Sequence, residues 1–181
     1  MIKSVRNVFI LSCLLLISMV TYSAVKTPSE VTFDGEVYKQ AFQDGDGVKT
    51  NRVTEYLKKG ENLNTYVKIV AIWEYPGVTD VKAFAGDLIK THKQNYPSLG
   101  RSIIVKDDGS EAQVDYIIAE GDITEFNIFR LIKRDGHVVA YQYVYRNYSA
   151  LNTSDNTKWW NNLKQNKNKW AELMTQVNYV K

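Results

Sequence analysis

Cysteine is almost absent from this chain: Cys13 is the only one among 181 residues, which also include only two histidines and three prolines. One cysteine cannot build an internal disulfide framework. With His92 and His137 as the only imidazoles, a zinc site would need carboxylates for most of its ligands, so neither a metal site nor a cofactor is expected. Nucleophilic serine chemistry is equally short of parts. No Gly-x-Ser-x-Gly elbow occurs, and only those two histidines could serve as a base. Low-complexity tracts and fixed-period repeats are missing too, so no solenoid is implied.

One long hydrophobic run is present, at the beginning. Lys3 and Arg6 form a short basic start, and Val8 to Val20 is apolar except for Ser12, Cys13 and Ser18. A basic start, a short apolar stretch and then small or polar residues are the marks of a secretory signal peptide. The run falls short of the ~20 apolar residues a membrane-spanning helix requires. Thr21 and Ser23 suit a small-x-small cleavage rule, so cleavage is expected after Ser23 or Ala24. Cys13 is followed by apolar Leu14 to Val20, which argues against a lipidated cysteine. The expected organisation is therefore 1–24 as signal peptide and 25–181 as a single α+β domain, delivered to the periplasm or secreted. Lys3 and Arg6 also carry two of the three net positive charges. The remaining chain is nearly neutral, so no nucleic-acid partner is implied.

The middle of the chain alternates apolar and polar residues around turn dipeptides. Asp108-Gly109 and Asp135-Gly136 both suit two-residue type I′ turns, predicting hairpins of Ser102–Asp107 with Ser110–Ala119 and of Thr124–Arg134 with His137–Arg146. That register sets Lys106 opposite Glu111 and Glu125 opposite Arg146, two opposite-charge pairs that a one-residue slip would lose. Glu120-Gly121-Asp122 joins the hairpins into a four-stranded meander. Upstream, Tyr66–Tyr75 reads as a strand. Thr79 then reads as an N-cap for a helix whose apolar residues, Val81, Phe84, Ala85, Leu88, Ile89 and His92, recur at helical spacing. A second helix is expected from Ser154 or Asp155, with Trp160, Leu163, Trp170, Leu173, Met174 and Val177 on its buried face. Val31–Phe42 and Arg52–Leu57 complete the sheet, one strand each. The expected fold is α+β, an antiparallel sheet with a C-terminal four-stranded meander covered by two amphipathic helices.

Short segments spread along the chain, Glu55-Tyr56-Leu57, Lys59-Gly60-Glu61, Val70-Ala71-Ile72, Tyr75-Pro76, Glu125-Phe126-Asn127 and Tyr141-Gln142-Tyr143, resemble a group of small exported proteins of gammaproteobacteria with no assigned function. The resemblance implies a bacterial exported globular protein and transfers no active site.

Few side chains invite a functional reading. Asp44, Asp46, Thr50 and Glu55 fall at positions one, three, seven and twelve of a calcium-loop count, but Val48 and Lys49 occupy positions five and six, where a ligand and a glycine belong. An ordinary Asp/Gly turn is the better reading. His92 lies on the apolar face of the first helix and is expected to be structural, whereas His137 beside a hairpin turn is expected to be exposed. In the second hairpin, Glu125, Asn127, Gln142 and Arg146 share one face. They form either a satisfied polar network or the lining of a small pocket. Trp159, about 100° round its helix from Trp160, and Tyr148 are candidate exposed contacts for a protein or glycan. The sequons Asn147-Tyr148-Ser149 and Asn152-Thr153-Ser154 would matter only in a eukaryotic secretory pathway. With no catalytic residues identified, the sequence points to an exported periplasmic binding or interaction module for an envelope protein or small ligand, such as an immunity or accessory factor, with no stable membrane insertion. The alternative is a carboxylate-dependent hydrolase acting on cell-wall glycans.

Overall fold

A computed structural model describes residues 23–148 and 154–180. The predicted signal peptide, Cys13 included, falls almost wholly outside the described residues, as do Ser149, Asn152 and Thr153 of the two sequons. The elements run β1 (Glu30–Phe33), β2 (Glu36–Asp44), β3 (Arg52–Leu57), β4 (Lys68–Tyr75), α1 (Val81–Asn95), β5 (Arg101–Val105), β6 (Glu111–Glu120), β7 (Ile123–Arg134), β8 (His137–Asn147) and α2 (Ser154–Gln176). All eight strands join in one antiparallel sheet, ordered β1-β2-β3-β4-β8-β7-β6-β5. The fold is α+β, and β5 to β8 form the expected meander. Its last strand, β8, then pairs with β4, which fuses the two halves.

The β7/β8 register agrees with expectation: Leu131 faces Ala140, Phe129 faces Gln142 and Glu125 faces Arg146. Asp135 and Gly136 both have positive φ, 49° and 83°, as a type I′ turn demands. The first hairpin keeps the Lys106–Glu111 pair, 2.8 Å apart, but its turn differs. Asp108 lacks the positive φ of a type I′ turn. Gly109 alone is left-handed, at 69°, and the Asp108 carboxylate accepts the Ser110 N–H, so the loop has four residues, Asp107 to Ser110. Val31–Phe42 is likewise two strands, not one. Asp34 and Gly35, with φ of 51° and 75°, fold it into a further type I′ hairpin, β1/β2.

Alternation along β7 and β8 separates two cores. Val138, Ala140, Phe129 and Leu131 point to the face where Val81 and Ala85 of α1 pack, with Ala112 and Val114 of β6. Phe126, Ile128, Val139, Tyr141, Tyr143 and Tyr145 point the other way, to Trp159, Leu163, Trp170 and Met174 of α2 and to Val31 and Phe33 of β1. The N-cap of α1 is Asp80, whose carboxylate accepts the Ala83 N–H at 2.9 Å, in place of the predicted Thr79. Asp80 takes the extended conformation that a cap requires, and the helix starts one residue later.

Two aromatic or ring residues sit elsewhere than predicted. Trp159 is only 4% exposed. It stacks on Tyr145 at 5.4 Å and meets Trp160 edge-on at 5.0 Å, because the buried stripe of α2 runs through 159, 163, 170 and 174 and continues into Val177 just past its end. Trp160 is the partly exposed member of the pair. His137 is fully buried, since β8 begins beneath the segment that leads into α1 and its neighbour Val138 donates its N–H to the Val78 carbonyl.

The chain enters the fold through a polar clamp. Val25 donates its N–H to Glu74 Oε2 at 2.8 Å, and Arg52 bridges Glu74 and the Val25 carbonyl. Tyr56 then donates to the Pro28 carbonyl at 2.9 Å. Among the described residues no helix is long and apolar enough to cross a membrane.

Candidate functional site

The four polar residues singled out on the second hairpin do share one face of the sheet, the face of α1, and they divide into two groups. Asn127 and Gln142 form the first. Gln142 Nε2 donates to Asn127 Oδ1 at 2.8 Å, and its own Oε1 accepts the Trp73 indole N–H at 2.6 Å. The pair is therefore a relay from β7 through β8 to β4. One buried group in it, Asn127 Nδ2, has no partner.

Glu125 and Arg146 form the second group, centred on an arginine whose nitrogens are all engaged. Arg146 Nε donates to Glu125, Nη2 to the Tyr66 hydroxyl, and Nη1 to the Tyr148 hydroxyl at 3.2 Å. Tyr66 in turn donates to Glu125 Oε1 at 3.0 Å, and its ring lies under the guanidinium, 3.8 Å from the centroid. Tyr148 donates back to the carbonyls of Tyr66 and Asn64, at 2.9 and 3.1 Å. A guanidinium fork held by a carboxylate, two phenols and an aromatic face is fixed in position. Burial works against its charge, but hydrogen bonds to Tyr148 and Glu125 outweigh that and raise its pKa above the ordinary arginine value.

Glu55 of β3 is near enough to feel this charge. Burial raises its carboxyl above the usual range, and Arg146 pulls it partly back. Tyr66, which carries no local sequence signal, is pushed up by burial and by Glu125. Its importance and that of Trp73 depend on the β4/β8 pairing, which joins residues far apart in the chain. Nothing local in the sequence announces that pairing.

Cavities open on both sides of Arg146. One, of about 360 Å³, is lined by Arg146, Tyr148, Trp159, Asp155, Lys158 and Asn162 among others, and so gathers three of the predicted site residues. A smaller one, of about 190 Å³, is lined by Ile118, Glu120, Ile123, Glu125 and Arg146. Asn127 and Gln142 line neither of these two. A third, of about 340 Å³, lies between α1 and β6 and shares Ile118 with the second.

The Asp/Gly loop is stabilised from within. Asp46 Oδ1 accepts the backbone N–H groups of Val48, Lys49 and Thr50 at 2.8 to 2.9 Å, and these bonds pull its carboxyl far below the usual range. Asp46 Oδ1 thus closes the loop as an ordinary Asp/Gly turn does.

Comparison with curated proteins yields no match. A family model, in contrast, matches residues 25–179, beginning at the residue clamped by Glu74 and Arg52 and spanning every strand and both helices. The chain belongs to that uncharacterised family.

Proposed function

We propose that this is an exported, periplasmic, non-enzymatic binding module, and that its contact surface is the cavity around Arg146, Tyr148 and Trp159. One observation carries the reading: three of the nominated residues, from β8, its following segment and α2, meet in one open cavity of about 360 Å³ beside a fully engaged arginine. Such an arginine positions its neighbours. Contact with a partner falls to Tyr148 and to the exposed Lys158 and Asp155, which pair with each other at 3.2 Å on the first turns of α2. A partner with both an aromatic and a charged group suits that lining, and an envelope protein taken up by an immunity or accessory factor fits this chemistry. The Lys3/Arg6 start and apolar run support export, as does the resemblance to gammaproteobacterial exported proteins.

The test is affinity capture of the tagged mature protein from its periplasm, side by side with Tyr148→Ala/Lys158→Glu. A partner enriched by the wild type and lost with the double variant is the expected result. Turnover of muropeptides with no enrichment would replace this reading by the carboxylate hydrolase. That second reading draws on Glu55, whose carboxyl burial raises and which feels the charge of Arg146, the ion-pair partner of Glu125.

A further inference from the structure

The cavity between α1 and β6 lies outside the Arg146 cluster and has a chemistry of its own. Its walls are Phe84 and Leu88 of α1, Tyr96 just after it, and Tyr116 and Ile118 of β6, with His92 among them. The imidazole packs at a tilt against Tyr116 at 4.8 Å and Tyr96 at 5.4 Å, so aromatic rings form one wall of a lining that Asp87, Thr91 and Asn95 complete. Tyr116 is well shielded. Burial, with a smaller push from Glu125 and Tyr96, raises its hydroxyl to about 12.

His92 is only 4% exposed, and its two nitrogens are treated differently. Nε2 lies 2.6 Å from the Ile117 carbonyl, and a carbonyl can only accept, so Nε2 carries the hydrogen. In the neutral ring that tautomer leaves Nδ1 as a bare acceptor. Nδ1 is buried and has no protein partner. A buried acceptor left unpaired is costly, and a ligand N–H or O–H would remove that cost.

We propose that this cavity is a second binding site, for a small uncharged aromatic molecule that donates one hydrogen bond to His92 Nδ1. The aromatic walls favour a planar ring. The volume of about 340 Å³ is at the small end of ligand pockets. Asp87 is the only charged residue in the lining, and its carboxylate disfavours an anion. The site does not depend on the Arg146 reading, so either can fail alone.

The experiment is calorimetric titration of the mature protein with three probes of one shape: 2-naphthol, which has a donor; 2-methoxynaphthalene, which lacks one; and 2-naphthoate, an anion. 2-Naphthol should bind about tenfold tighter than the methyl ether, the cost of leaving one buried acceptor unmade. It should also outcompete the naphthoate. His92→Phe keeps a ring but removes the acceptor, and should erase the difference between 2-naphthol and its ether. Because that variant also loses the Ile117 bond and so risks the fold, Thr91→Trp serves as a second. Thr91 is exposed at the cavity rim, and its enlargement should abolish binding of all three probes while the fold survives. Equal wild-type affinity for 2-naphthol and its ether overturns the proposal, as do preference for the naphthoate, undiminished binding to Thr91→Trp, and no binding of any probe.

Discussion

Glu74 sits among apolar side chains at 1% exposure, and two donors answer its charge: the Arg52 guanidinium and the Val25 N–H. A buried ion pair adds little net stability over an apolar pair, but removing one partner strands the other. Glu74→Leu alone should therefore cost about 3–5 kcal/mol, and Arg52→Met added to it should recover much of that loss. Urea unfolding of the single and double variants measures both. Because Glu74 also anchors Val25, the single variant should become more sensitive to protease near residues 25–28. Glu36 gives a pH signature. Burial raises its carboxyl, but hydrogen bonds from Lys68, Lys58 and Tyr38 outweigh this and bring it from 4.5 down to about 2. A carboxyl lowered in the folded state stabilises fully above its ordinary value, and that contribution is lost as pH falls from about 4.5 to about 2. Its side chain is 33% exposed, so solvent screening makes the contribution much smaller than the shift alone implies. Glu36→Gln should be less stable than the wild type at neutral pH, with the gap closing through that window in pH-dependent melts.

Strand pairings close in sequence were readable, because turn chemistry and cross-strand charge act over a few residues. The left-handed Asp135-Gly136 follows from the turn dipeptide, and Glu125 opposite Arg146 from the register that this turn sets. Asp34-Gly35 carries the same signal but is masked by the short β1 before it and the mostly exposed β2 after it, where apolar alternation is weak. The polar face of the second hairpin was legible for the same reason, but its partners on β4 were not, since no local rule pairs Trp73 with Gln142. Trp159 was misplaced because a stripe centred one residue later fits the same apolar set, and only the packing against Tyr145 fixes the phase. Two loop glycines test the turn argument. Gly35 has φ of 75° with nothing within 4 Å of an added Cβ, so Gly35→Ala meets only conformational strain, about 1 kcal/mol. At Gly45, with φ of 83°, the added Cβ would lie 1.9 Å from the Asn51 carbonyl oxygen. Gly45→Ala must displace backbone, so its loss in a thermal melt should be several times larger.

Across the whole molecule, the C-terminal helix and tail tie the face of the sheet opposite α1 together. Trp170 donates its indole N–H to Asp34 Oδ2 at 2.9 Å in the β1/β2 turn, while Lys167 reaches Asp115 on β6 at 2.6 Å. Farther along, Arg134 donates to the Val180 carbonyl at 2.7 Å and Tyr179 to the Thr32 carbonyl at 2.9 Å. These contacts span the sheet from β1 to β6, and Trp170 is at their centre, with ring centroids 5.1 Å from Tyr143 and 5.3 Å from Tyr145. Replacing it by alanine opens a large cavity, an effect of about 3–5 kcal/mol. The two cores share β7 and β8, whose residues alternate between them, so a loss on one face should be felt on the other. Trp170→Ala should thus lower the amide-exchange protection of α1, which touches none of the deleted atoms, by as much as it lowers global stability in urea. Undiminished protection in α1 would show instead that the helices stabilise their two faces independently.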